Sequence, residues 1–181
     1  MTRDGRVTKD GNRWILTFER ELEHPVEKVW SALTDTQKMK DWLSKDADID
    51  LRVGGRISMN DHHIDSTLVA YEPPRILEFG WSGPLWEGGT VRWELEPSAS
   101  GTRLVLTHQM PVMSDGDAQA FKDRYPYDLP DGWEPLPSTL AGWHSILDAL
   151  DGALAGAAAI PEVDMQPWLE LNKHYKSVTR S

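Results

Sequence analysis

One imidazole stands in a place where it could do chemistry. His108 closes the run Leu104-Val105-Leu106-Thr107-His108, in which alternate residues are apolar. In a strand, residues of one parity share a face, so His108 is turned inward with Leu104 and Leu106. A neutral imidazole there can orient a carbonyl or hydroxyl of a bound molecule, or act as a general base. It can also be a buried histidine bonded to a neighbouring backbone group, and the sequence supplies no orienting carboxylate. A second candidate is Asp61-His62-His63-Ile64-Asp65. Strand alternation would put Asp61, His63 and Asp65 on one side and turn His62 away. A solvated hairpin tip between two strands accounts for the run more simply than a metal site, and no metal is expected. The chain has no HExxH, no GxSxG, no phosphate-cradling glycine loop and no cysteine. No catalytic residue is therefore assigned and no cofactor is expected.

The elements that must position His108 can be read from periodicity. Trp14, Leu16, Phe18 and Leu22 alternate with polar residues as a strand. Pro25 opens a helix carrying Val26, Val29, Trp30 and Leu33, and Asp35 or Thr36 can cap a second short helix, Gln37–Leu43. Further strands are predicted near Asp48–Arg52, Arg56–Asn60, Ile64–Tyr71, Ile76–Trp81, Thr90–Glu96 and Arg103–Gln109, separated by turn-forming Gly, Pro, Asp and Ser. The Val53-Gly54-Gly55 bend reads as a structural reversal with no ligand contact. Leu140, Trp143, Leu147, Leu150 and Leu154 form one apolar stripe of a long helix, with Ser138 as N-cap and Gly156 as terminator. Gly142 and Gly152 each cost that helix about 1 kcal/mol relative to alanine. Close packing on the sheet or room for a ligand would each offset that cost. Seven strands in meander order, two early helices and a late one make an α+β domain.

Composition narrows the partners. The chain has 181 residues, 19 basic against 29 acidic, a net charge of −10 and no cysteine. This balance argues against binding a phosphate backbone or anionic lipid headgroups, so neither a nucleic acid nor a membrane partner is expected. Disulfide and thiolate chemistry are excluded. Met1–Asn12 is polar, and no run reaches the roughly 18 apolar residues of a membrane span; a cytoplasmic location is expected.

Several stretches, in order, resemble a known family: HPVEKVWSALTD at His24–Asp35, DLRVGGR at Asp50–Arg56, Tyr71-Glu72-Pro73-Pro74 running on to Phe79-Gly80-Trp81, Gly101–His108, and Gly142-Trp143 with Leu147 and Leu150. From about Phe18 to Gly156 the chain is similar to the START-like (SRPBCC) superfamily and, within it, to the family named for activators of the ATPase of heat-shock protein 90. The resemblance implies a helix-grip fold: a curved antiparallel sheet of about seven strands wrapped around a long C-terminal helix, with two short helices after the first strand. It makes residues 1–160 a single domain and 161–181 a C-terminal extension. There Trp168, Leu171, Tyr175 and Val178 keep helical spacing after Pro167. Such a helix would dock on its own domain, cover the pocket or meet a second copy in a homodimer. The proline-rich segment Pro111–Pro137 is longer than the family's usual connection. Within it Asp117 can cap a helical turn bearing Phe121 and Tyr125, a lid or an ordered loop.

In a helix-grip fold the space between helix and sheet is the binding site. The cavity-lining candidates are Trp42, Phe79, Trp81, Trp93, Leu95, Leu106, His108, Trp143 and Leu147, a mostly apolar wall with one imidazole. The same stripes also suit an ordinary filled core, since a rigid indole can line a void or fill one. The leading functional reading is a non-catalytic binder or carrier of a small hydrophobic molecule, with an enclosed cavity between Trp93, His108 and Trp143. The alternatives are an enzyme of the polyketide cyclase or aromatase kind and a chaperone-associated interaction module.

Overall fold

The strands follow from alternation. A computed structural model describes residues 3–81, 88–124, 133–157 and 165–179. Within them β2 (Arg13–Leu22) sends Leu16, Phe18, Arg20 and Leu22 inward, and β8 (Thr102–Pro111) sends in Leu104, Leu106, His108 and Met110. These two strands pair antiparallel along their whole length, from Arg13 opposite Pro111 to Leu22 opposite Thr102. The other strands are β1 (Arg6–Asp10), β3 (Ala47–Ile49), β4 (Arg56–Met59), β5 (Ile64–Glu72), β6 (Ile76–Gly80) and β7 (Thr90–Pro97). The described residues form one curved antiparallel sheet in the order β1-β2-β8-β7-β6-β5-β4-β3. From β3 to β8 it is a meander; β8 then closes on β2. A bulge between Leu68 and Ala70 shifts the register of β5 against β6 and adds bend where the sheet curls.

The sheet has eight strands, one more than the alternation reveals, because β1 precedes the first predicted strand. RVTKD has no apolar row to detect: only Val7 is half-buried. Gly11 at φ 55° turns the chain so that Asp10 pairs with Arg13. The short helices α1 (Val26–Thr34) and α2 (Thr36–Met39) consequently follow the second strand. Asp35 caps α2 by accepting a hydrogen bond from the Gln37 N–H. Gly54, at φ 78°, donates its N–H to Leu68 O. A Cβ on Gly55 would lie 2.0 Å from the Asp50 carbonyl oxygen, so both glycines serve the reversal.

Helix α3 spans Asp115–Arg124, α4 spans Pro135–Leu154 and α5 spans Met165–Thr179. Helix α4 lays Leu140, Trp143, Leu147, Leu150 and Leu154 on the sheet, all buried. It starts one turn before the expected Ser138 cap, because Pro135 and Pro137 fit a first turn whose N–H groups need no intrahelical partner. Ser138 instead accepts a hydrogen bond from Asn172 of α5. Gly156 ends α4 at φ 86°. Ser114 and Asp117 cap α3 reciprocally, backbone N–H to side chain in both directions, so the cap residue is Ser114 and Asp117 completes the box. The Phe121 side chain and Tyr125 lie outside the described residues. Among the described residues, no helix is long and apolar enough to cross a membrane.

Candidate functional site

Three strands, helix α4 and the segment after α2 bring the aromatic residues together. Phe79 lies near the end of β6 and Trp81 just past it, with the Trp81 backbone N–H bonded to Gly89 O. Trp93 and Leu95 come from β7, Leu106 and His108 from β8, and Trp143 and Leu147 from α4. Trp42, just after α2, is fixed by its indole N–H donating to Ala32 O at 3.1 Å. All nine are buried in one apolar core. The Trp42 and Trp93 rings meet edge to face at 5.7 Å, Trp93 and Trp143 at 5.8 Å. Trp143 also tilts against Trp81 at 4.8 Å, and Trp81 against Phe79 at 6.0 Å. These are the separations at which offset and edge-on aromatic pairs attract.

Trp143 meets both Trp93 and His108 edge to face, with ring centroids 5.8 and 5.7 Å apart. Trp81 also meets the His62 and His108 rings, at 6.0 and 6.1 Å. His62 is half-buried, and its Nε2 hydrogen-bonds Leu43 O at 2.7 Å.

His108 is fully buried between Leu16 of β2 and Val91 of β7. Its Nδ1 accepts a hydrogen bond from the Trp143 indole at 2.8 Å, which fixes the neutral tautomer with its proton on Nε2. Burial lowers its pKa to about 3, because the buried site disfavours the cation. The Nδ1 lone pair is thus committed and the ring stays uncharged across physiological pH.

The Asp61–Asp65 run is not one strand: it is a turn that enters β5 only at Ile64. Asn60–His62 is a single 3-10 turn and His63 adopts φ 55°, so Asp61, His63 and Asp65 do not share a face. Asp61 accepts hydrogen bonds from the Ser44 hydroxyl and the Lys45 N–H, while Asp65 pairs with Arg56. Among the described residues, no group of three or more His, Cys, Asp or Glu side chains is placed to hold a metal ion.

Sequence reasoning missed a second polar centre on the other face of α4. His144 and Tyr175 are buried and hydrogen-bonded to each other at 2.8 Å, and Arg20 is buried close by, its guanidinium 3.8 Å from Asp148. A signal was present: Ala141, His144 and Asp148 repeat at helical spacing beside the leucine stripe.

The comparisons with known proteins agree with this architecture. The fold is similar to that of CalU16 from Micromonospora echinospora, with a TM-score of 0.69 at 24% identity over 98% of this chain and 96% of that one. It is similar to EF2215 from Enterococcus faecalis, a conserved protein of unknown function, with a TM-score of 0.70 at 19% identity over 97% and 91% of the two chains. An AHSA1-like protein from Aeromonas hydrophila aligns with a TM-score of 0.53 at 20% identity over 78% and 92%. No curated protein matches in sequence. The model of the family described as Activator of Hsp90 ATPase homolog 1-like protein matches residues 23–155, from the end of β2 through α4. With that match over most of the domain, and a helix-grip fold to go with it, the chain belongs to the Activator of Hsp90 ATPase homolog 1-like family, within the START-like superfamily.

Proposed function

We propose that the protein binds a small, mainly apolar molecule at the Trp81 end of the aromatic cluster, without transforming it. The observation that supports this is the joined set of rings Trp42, Trp93, Trp143 and Trp81, with one uncharged imidazole set among them. Few polar groups fixed among many apolar ones suit recognition by shape and burial. At that end of the cluster the ligand meets Trp81 and the His62 ring beside it. The commitment of His108 Nδ1 to Trp143 speaks against a general-base role and hence against the cyclase reading.

Native mass spectrometry of the purified protein, before and after denaturation, tests the reading. A co-purified small molecule released on unfolding is the expected result. Titration with 1-anilinonaphthalene-8-sulfonate provides a second measure: Trp81→Ala should weaken probe binding about tenfold, equivalent to roughly 1.4 kcal/mol, while Trp14→Ala should leave it unchanged. A protein that carries no small molecule and binds the probe equally well with and without Trp81 would overturn the proposal.

A further inference from the structure

The two ends of the chain are fastened to α4 through one histidine. The Gly5 N–H donates to the Tyr175 hydroxyl at 2.9 Å, and that hydroxyl hydrogen-bonds His144 Nδ1 at 2.8 Å. With its oxygen accepting from Gly5, the hydroxyl donates its own proton to Nδ1, so His144 is the neutral tautomer with its proton on Nε2. Nε2 faces the Asp148 carboxylate at 3.6 Å. Around this line Asp4 accepts from His174 at 2.9 Å, and Arg3 reaches Asp148 and Asp151 at 2.9 and 3.1 Å.

We propose that His144 is the pin of an acid-released latch, holding α5 and residues 3–5 on α4 when neutral and letting both go together when protonated. Protonation puts a hydrogen on Nδ1, so the nitrogen that accepted from Tyr175 must donate instead. The hydroxyl proton then loses its acceptor in a buried place, which is costly. Charge is also resisted from below by Arg20, whose Nε and Nη2 have no hydrogen-bond partner among the described residues. The groups facing the imidazole are Asp148 on its own helix, Arg20 on β2, Arg3 and Asp4 on the N-terminal segment, and Tyr175 on α5. Burial is the largest influence and holds the pKa of His144 below its ordinary value, aided by Arg20 and Arg3 and opposed by Asp148 and Asp4. A solvent-open groove of about 570 Å³, bordered by Asp4, Gly5, Val7, Leu136 and Val178, lies beside the latch and gives protons a route to it.

The sign follows from linkage. A histidine freed from the latch takes up a proton as pH falls below about 6.5, while the docked one, its pKa lowered, takes it up only at lower pH. Docking is therefore fully favourable above that pH and weakens below it. Hydrogen exchange of full-length protein at pH 7.5 and 5.5, corrected for intrinsic rates, tests this. Amides of α5 should lose about tenfold more protection than those of β7 and β8. His144→Gln should abolish that difference and His174→Gln should leave it. In the wild-type protein the His144 ring proton resonance should titrate at a lower pH than a free histidine. A differential loss that disappears in His174→Gln, or an α5 that stays protected while the His144 resonance titrates near pH 6.5, would overturn the latch. None of these readouts depends on ligand binding, so the latch and the proposed function stand or fall separately.

Discussion

Truncating Trp143 to phenylalanine keeps a ring in the core but removes the donor that His108 Nδ1 accepts. An unsatisfied buried acceptor costs about 1–3 kcal/mol, so Trp143→Phe should lower the unfolding free energy by that much, beyond what the smaller ring loses in packing. The same bond makes a pH prediction. The folded-state pKa of His108 is lowered to about 3, so the unfolded chain takes up its proton first, near pH 6.5. The stability tied to this group is intact above pH 6.5 and drains away as pH falls toward 3. At pH 5 the loss is about 2 kcal/mol at 1.36 kcal/mol per pH unit. Urea titrations at pH 7 and 5 on wild-type and His108→Gln check it, because the variant should lack this part of the acid sensitivity. That His108 faces inward was legible from strand parity alone. Its indole partner was not, since residues 108 and 143 meet only when α4 lies across β8.

Among the elements, α4 offers the cleanest contrast between glycines. Close packing on the sheet does not account for Gly142 among the described residues: a Cβ there meets nothing within 4 Å, and its backbone needs no positive φ. Gly142→Ala should therefore stabilise the protein by about 0.5–1 kcal/mol, read as a rise in Tm. Gly101 is the opposite case: it sits at φ 148° with a prospective Cβ 2.4 Å from Leu22 O. Gly101→Ala should cost more than about 1 kcal/mol. Strands β2, β5, β7 and β8 and the stripe of α4 were readable because each buries one parity or one face. Strand β1 was not, because its pairing with β2 rests on backbone hydrogen bonds and a Gly11 turn rather than on an apolar row. The face of α4 bearing His144 was overlooked for a related reason: its partners are polar, and polar residues on a helix read as solvated.

At the scale of the molecule, α5 completes the core that the family-matched residues leave open at the β1–β2 end. Tyr175 is fully buried, and Trp168 and Leu171 pack against the core. Removing everything after Ala157 should cost about 3 kcal/mol or more from the buried side chains, visible as a lower Tm and as dye binding to the uncovered surface. A truncated chain that melts like the full one would show that α5 adds nothing to stability. The pairing of β2 with β8 has its own consequence during synthesis. Arg13 must wait for Pro111, and Leu22 for Thr102, before the central seam of the sheet exists. At the usual 5–20 residues per second, a ribosome leaves the inward row Leu16, Phe18 and Leu22 without its partner strand for on the order of ten seconds. Nascent chains stalled before β8 should thus be protease-sensitive and prone to aggregate, and should become resistant once Pro111 has cleared the exit tunnel. The order in which the ribosome delivers the strands, rather than their intrinsic preference for strand, sets the earliest moment at which this protein can fold.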